Sequence, residues 1–445
     1  MIAPHPPMTM NNNLTISLSP QSRARILASI KKMVLNHHIN VGGVNYDAWT
    51  ASVDQRTPEL LAAETSTFES GIRQLLSELG SSHTAFYHEH GKLVLPQHSI
   101  NATLRSFSVA GSERWFFLDV FEGGPAQVAG IKPGDMLLAV DGTEYLPPSM
   151  PPFNVGQTYT LRIADARGEN VRQVEVEVPK RKGTKARPPI VEPMGLSHAM
   201  IAPDIGLLKV VYFPGPMGLR FAKDLDAAVA DLKQHGTSRL IVDLRGNIGG
   251  GLGLARLASY MCSGQIPIGH SLTPRRLRIG YKRGDLPPVP MPRSEIELGL
   301  TLARFLFRDK SVVLLTQGLG PQPFHNRIAL LVNEWTNSAA EMVAGFAAEY
   351  GLGTIVGTKT AGNVLGAANF RVGSGYWVRL PVFGWYTPKG DCLEGKGVSP
   401  NVLVEVDPCL LNAGVDQQMN KAIEILSGMG DSDRAVTPRA SRDQL

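Results

Sequence analysis

The sequence predicts a multidomain α/β protein, and three observations carry that reading. From residue 205 onward, short apolar runs such as 240–244 (LIVDL) and 328–332 (IALLV) alternate with stretches whose apolar residues recur at helical spacing. Between 104 and 178 the pattern changes to short alternating runs broken by Gly- and Pro-containing turns, as half-exposed strands require. Before residue 95, helical spacing dominates. A chain of 445 residues, 43% hydrophobic and 19% charged, is long enough for several domains and has an ordinary globular composition.

Charge and composition exclude several function classes. The net charge of +5 is spread along the chain, and only Thr273–Arg283 is locally basic. That segment reads as a solvated face, so no nucleic-acid partner is expected. No run approaches the roughly 18 apolar residues of a membrane span. The first twenty residues lack the charged start and apolar core of a secretory signal, so the chain as written reads as cytoplasmic. A periplasmic or secreted location requires that a leader was removed. Cys262, Cys392 and Cys409 are scattered, with no CxxC pair and no disulfide framework, which fits a reducing compartment. His88-Glu89-His90 reads as a surface loop, and no metal site is expected.

Taken in order, residues 1–20 read as a flexible leader. In 22–35 (SRARILASIKKMVL), Ile26, Leu27, Ile30, Met33 and Val34 share one helical face. The stretch 57–79 holds another helix, with Ile72, Leu75, Leu76 and Leu79 facing inward and Gly80 as its stop. Ser81-Ser82-His83-Thr84 follows at once, so a helical region over 21–100 delivers a Ser-His pair at its last helix end. Residues 101–180 read as strands at 115–120, 136–140, 159–163 and 174–178. The stretch 123–142 (GGPAQVAGIKPGDMLLAVDG) closely resembles a PDZ domain, and that resemblance implies binding of extended peptides by strand addition at a sheet edge. The basic, Pro-rich run within 181–194 reads as a linker.

The α/β region, 195–428, is expected to hold strands at 205–211, 240–244, 311–316, 328–332, 354–356, 375–382 and 402–406. Helices are expected at 221–235, 252–261 and near 296–307, with another starting at Ser338. Residues 429–445 read as a disordered tail.

Two stretches carry chemistry. In 243–251 (DLRGNIGGG), glycines at a strand end free the backbone to approach a ligand and to aim amides at it. The P-loop ending and the dinucleotide GxGxxG spacing are both absent. In 328–350 (IALLVNEWTNSAAEMVAGFAAEY), a buried strand turns into a helix at Ser338. A serine there sits beside unpaired N–H groups and the positive end of the helix dipole, where a nucleophile and an oxyanion site can share one structure. The same letters spell a capping box, Ser338 with Glu341.

In combination, the PDZ-like stretch, VDLRGNIGGG, NEWTNSAAEMVAGF and VGTKTAGN resemble the C-terminal processing and tricorn-core serine peptidases, over about 22–405. The resemblance implies a crotonase-like β/α catalytic core with an inserted PDZ domain. It implies Ser338 as nucleophile and an oxyanion hole from the N–H groups of Ala339 and a glycine of the Gly249–Gly250 turn. Where the better-known branch carries its lysine base, this chain has Asn363, whose amide cannot take a proton. Lys359 is the alternative base. The tricorn-like branch uses histidine, and its pattern falls on His83 as general base, Ser82 as polar link and Glu394, ahead of Gly397-Val398-Ser399-Pro400, as the group orienting that link; Asp391 is the competing carboxylate.

The function so implied is a serine endopeptidase without cofactor or metal, cleaving peptides or unfolded proteins through an acyl-enzyme, with a homo-oligomer as one assembly left open. The alternatives are a non-catalytic peptide- or ligand-binding protein on the same scaffold, and an acyl-CoA enzyme on a crotonase-like core.

Overall fold

The N-terminal apolar stripe folds as expected. Ile26, Leu27, Ile30 and Val34 are buried along helix α1 (Pro20–His37), which Ser19 caps. Helices α2 (Tyr46–Ala62) and α3 (Thr65–Ser77) pack beside it. The computed structural model describes residues 17–89, 95–180, 190–215, 218–292, 297 and 311–429. The leader up to 16, the linker core at 181–189, the helix expected near 296–307 apart from residue 297, and the tail from 430 lie outside the described residues.

A short strand, β1 (Ala85–His88), follows α3, so the region expected to be helical also contributes to a sheet. His88, expected in a surface loop, is buried there against Tyr376; Glu89 is exposed and His90 lies outside the described residues. After the short helix α4 (Pro96–Ser99) come β2 (Ala102–Val109), β3 (Ser112–Val120), the one-turn helix α5 (Pro125–Val128), β4 (Met136–Val140), β5 (Thr158–Ala164) and β6 (Arg172–Glu177). The five strands form an antiparallel sheet in sequential order over its own core, which includes Leu104, Phe117, Leu137, Leu161 and Ile163.

The second sheet is mixed. It takes β7 (Leu196–Ala202), β8 (Ile205–Val210), β9 (Arg239–Asp243), β13 (Ile328–Val332), β14 (Thr354–Gly357) and β17 (Val402–Leu403), in the order β17-β14-β13-β9-β8-β7. All pairings are parallel except β7 with β8. Every residue of β13 is buried because both faces are covered. One face carries α6 (Leu219–Gln234), α7 (Leu254–Ser259) and α9 (Ala339–Tyr350); the other carries α11 (Gln417–Ser427). Between these, α8 (Pro274–Ile279) buries no residue, as a solvated basic face should. A short helix, α10 (Pro408–Asn412), precedes α11.

The third sheet joins distant parts of the chain: β1, β10 (Pro267–Leu272), β11 (Pro288–Pro290), β12 (Val313–Leu315), β15 (Leu365–Gly373) and β16 (Tyr376–Tyr386). Strand β1 pairs antiparallel with β16, with Ala85 opposite Arg379 and Phe86 opposite Val378. On one face Tyr376, Val378 and Leu380 join Phe86 against α1–α3. Strands β7, β10, β11 and β15 were not expected. Strand β15 (LGAANFRVG) is depleted in β-branched residues and is held by its long pairing with β16 rather than by local propensity.

Candidate active site

The loops after β9 and β13, adjacent parallel strands, both leave from the carboxyl edge of the mixed sheet, where open α/β folds place ligands. The first is 244–251 and the second 333–338. Asn333 knits them together: its Oδ1 accepts from Gly246 N–H and Trp335 N–H, both at 3.0 Å, and its Nδ2 donates to Asp119 Oδ2 at 3.0 Å. Asp119 belongs to β3, so the antiparallel sheet is fastened to the site. Burial pushes the Asp119 carboxyl up, against hydrogen bonds from Thr103 and Asn333 that pull it down.

Ser338 stands at the start of α9 with φ 52° and ψ −115°, a conformation that a residue with a Cβ rarely adopts. Its N–H is shared between Glu341 Oε2 (3.1 Å) and Asn363 O (3.0 Å). Ala340 N–H returns to Asn337 O, while Ala339 N–H donates to no acceptor among the described residues. An open donor therefore lies beside Ser338 at the helix start.

The glycine turn lies directly against this serine. A Cβ on Gly249 would stand 2.8 Å from Ser338 Cβ and 3.3 Å from its Oγ. Gly249 and Gly250 have φ of 84° and 135°, which explains glycine at both. The two are not equivalent. Gly249 N–H donates to Asn247 Oδ1 at 2.7 Å, whereas Gly250 N–H has no acceptor among the described residues. Of the two expected donors, Gly249 is spoken for and Gly250 is open.

Ser82, His83 and Glu394 come together. Glu394 Oε1 accepts from Ser82 N–H (2.8 Å) and Oε2 from Ser82 Oγ (2.9 Å) and Val364 N–H (2.8 Å). Ser82 Oγ lies 2.8 Å from His83 Nδ1. Because the single hydroxyl proton goes to the carboxylate, Ser82 Oγ accepts from Nδ1–H. That fixes the tautomer with a lone pair on Nε2. His83 has φ 60°, a second strained non-glycine residue. Burial, then the charges of Arg379 and His98, depress its pKa to about 3. Val364 follows Asn363, whose carbonyl holds Ser338 N–H, so a continuous hydrogen-bonded path joins the His83 relay to the serine turn. His83 Nε2 and Ser338 Oγ are not hydrogen-bonded to each other.

The remaining sequence candidates separate cleanly. Lys359 is exposed and bonds to nothing among the described residues, while Thr358 and Thr360 on either side of it are buried, so the strand end turns the lysine to solvent. Asn363 donates to Asn337 Oδ1 at 2.9 Å, a structural role. Asp391 is exposed and takes no part in the relay.

One residue read only as a capping partner does more. Glu341 is fully buried and accepts four hydrogen bonds: Thr360 Oγ1–H and Gly362 N–H (2.6 Å each) on Oε1, Asn363 N–H (2.9 Å) and Ser338 N–H on Oε2. Burial pushes its pKa up and these four donors pull it down. The TAGN turn following β14, with two backbone donors and a threonine, was the available signal. Arg379 of β16 was also missed, since nothing local marks one arginine within the strand expected over 375–382. Burial lowers its pKa.

A strained serine at a helix start, a glycine turn packed on it and the hydrogen-bonded set Glu394, Ser82 and His83 thus meet at one edge of the mixed sheet. Residues 204–404 match the model of peptidase family S41. It is 22% identical over 329 residues to the carboxyl-terminal-processing protease of Synechocystis sp., covering 69% of this chain and 63% of that protein. It is 27% identical over 290 residues to the carboxy-terminal processing protease CtpA of Bacillus subtilis, covering 64% of this chain and 52% of that one. The chain thus spans less than two thirds of the length of either relative. Among solved structures, the fold is similar to a photosystem II D1 C-terminal processing protease (TM-score 0.53, 17% identity, 93% of this chain and 98% of that chain). It is also similar to a putative S41 protease from Bacteroides fragilis (TM-score 0.52, 16% identity, 82% and 90%).

Proposed function

We propose that the chain is a serine endopeptidase acting through an acyl-enzyme. Ser338 Oγ attacks the scissile carbonyl and its proton passes to His83 Nε2. The carbonyl oxygen, now an anion, is held by the N–H groups of Ala339 and Gly250. His83 then returns the proton to the departing amine, and water repeats the sequence to free the acid and restore Ser338. Ser82 holds His83 in the Nδ1–H tautomer and Glu394 orients Ser82, which is triad logic with one hydroxyl interposed. The relay geometry, 2.8 and 2.9 Å through Ser82 Oγ, is the observation that carries this reading. The missing Ser338–His83 bond fits a resting state that tightens when substrate fills the cleft.

The antiparallel sheet of β2–β6 with α5 supports a PDZ-type module over 101–180 that holds an extended peptide or unfolded chain near Ser338. The mixed sheet with its helices supports a crotonase-like core over 195–428, preceded by the linker 181–194 and the N-terminal region 21–100.

The test is labelling with an active-site-directed fluorophosphonate. The expected outcome is labelling at Ser338, lost in Ser338→Ala and slowed in His83→Ala. Normal labelling of Ser338→Ala sinks the assignment. Absence of both labelling and peptide cleavage in the wild-type chain favours the non-catalytic binding protein instead.

A further inference from the structure

A buried imidazole is tolerated where its ring nitrogens find partners. His38, the residue that ends α1, is 5% exposed and has a partner on each nitrogen. Its Nδ1 lies 2.8 Å from the Tyr46 hydroxyl and its Nε2 2.8 Å from Ser81 Oγ. Ser81 Oγ in turn lies 3.0 Å from Thr84 Oγ1. Each hydroxyl can rotate, so either neutral tautomer of His38 leaves no ring nitrogen unbonded. Burial depresses its pKa to about 4, so the neutral ring and its bonds are present across the neutral range.

The position of this chain of bonds ties it to the relay. Ser81 and Thr84 flank Ser82 and His83, and the bond between their side chains closes across the pair. The pair is held from one direction by Glu394, which accepts from the N–H and the hydroxyl of Ser82. Those bonds fix Ser82 and reach His83 only through one hydroxyl. His83 keeps a φ of 60°, a conformation that costs free energy and persists only where the surroundings over-determine the turn. His38 supplies a second constraint on the same turn, through Ser81.

His38 is itself mounted on rigid elements. Its N–H closes α1 on Val34 O (3.0 Å), and the next residue, Ile39, donates its N–H to Pro381 O of β16 (2.9 Å). Tyr46 opens α2, and its hydroxyl also lies 3.1 Å from His38 O. Strand β16 is the partner of β1, which begins one residue past Thr84. The ring is thus fixed against the same sheet that follows the base, as a supporting group must be to hold a site in register.

We infer that His38 is the positioning residue of the general base: through Ser81 and Thr84 it holds the 81–84 turn in the shape that presents His83 to Ser338. It acts only through Ser81 and is not a catalytic residue. This inference rests on the peptidase reading, since it assigns a further part to the same reaction.

The test removes the contact from both ends. His38→Leu deletes the bonds of the ring, and Ser81→Ala deletes one hydroxyl, a change mild enough to keep the test if the buried leucine prevents folding. Each is expected to lower kcat on an unfolded protein about 10- to 100-fold, as a misplaced base implies, with KM within about twofold. The double variant falls no further than the worse single one, because both remove one contact. His38→Gln, whose amide reaches as far as Nε2, regains part of the loss; His38→Asn, whose amide reaches only as far as Nδ1, does not. A kcat within about twofold of wild type in Ser81→Ala, or losses that multiply in the double variant, overturns the inference. Normal fluorophosphonate labelling of the wild-type chain at Ser338 then leaves the peptidase reading standing. Nitrogen-15 spectra of the imidazole rings in Ser338→Ala read the turn without turnover. His83 is expected there as the Nδ1–H tautomer alone, and as a mixture with the Nε2–H form once Ser81→Ala is added. An unchanged His83 signal also overturns the inference, whatever the catalytic outcome.

Discussion

Replacing Glu341 by glutamine changes one oxygen to an amide and almost nothing in volume, yet the effect on stability should be large. Each carboxylate oxygen accepts from two donors, Thr360 Oγ1 and Gly362 N–H on one, Ser338 and Asn363 N–H on the other. An amide keeps one acceptor and brings two N–H groups of its own. Whichever way it flips, the –NH₂ faces two donors, and both of those groups are buried. The Thr360 hydroxyl can rotate away, since it also accepts from Val398 N–H; a backbone N–H cannot. Ser338 N–H likewise keeps Asn363 O, so either flip strands one backbone N–H, and at about 1–3 kcal/mol for a stranded buried group Glu341→Gln is expected to cost about 1–3 kcal/mol. That is a large share of the 5–15 kcal/mol typical of a folded domain. Guanidinium unfolding followed by fluorescence reads it directly, with an unchanged m-value as the check that the same transition is measured. A loss below about 1 kcal/mol would refute the four-donor account of the turn. Fluorophosphonate labelling should fall in parallel, because the same oxygens hold Ser338 in its strained conformation.

Further predictions concern the relay. With His83 depressed to about 3, its base form is present throughout the neutral and mildly acid range, so labelling of Ser338 is expected to be flat between about pH 5 and 8. A limb near the ordinary histidine value of 6.5 refutes it. The linkage has a definite sign: the folded chain binds protons more weakly at His83 than the unfolded chain does, so this group's contribution to stability is present above 6.5 and is lost as pH falls toward about 3. Ser82→Ala and Glu394→Gln should each lower kcat by about 10²–10⁴ with little change in KM, while Lys359→Ala, altering an exposed side chain, leaves both unchanged. Loss of activity in Lys359→Ala with His83→Ala still active would reverse the assignment of the base.

Sequence patterning reached the elements whose order is imposed locally. Strand β13 and the helix after it were legible because a fully apolar run and a helical stripe meet at one polar turn. Strand β4 fell between recognisable turns. Strand β15 was not legible, since its residues favour no strand and its partner β16 supplies the ladder. The site divided the same way. Ser338, His83, Ser82 and Glu394 could be singled out because their spacing fits a known family order. The difference between Gly249 and Gly250 could not, because it depends on where the Asn247 side chain turns. Nor could the four-donor role of Glu341, which needs two turns to meet in space. Exposed Lys359 and buried Thr358 and Thr360, just past the end of β14, show the limit of proximity in sequence: one step along the chain reverses the direction a side chain takes.

The pairing of β1 with β16, and the bond from Ser82 to Glu394 across 312 positions, have a consequence for when the site exists. Synthesis runs from the N-terminus, so His83 leaves the ribosome long before the carboxylate that orients its partner. A nascent chain can carry Ser338 already seated at its helix start while Ser82 still lacks Glu394 and β1 still lacks β16. Under the proposed mechanism such a chain has a nucleophile but no oriented base. On that mechanism a chain that ends before Glu394 cannot orient its base, so activity starts only after β16 and Glu394 have reached β1 and Ser82.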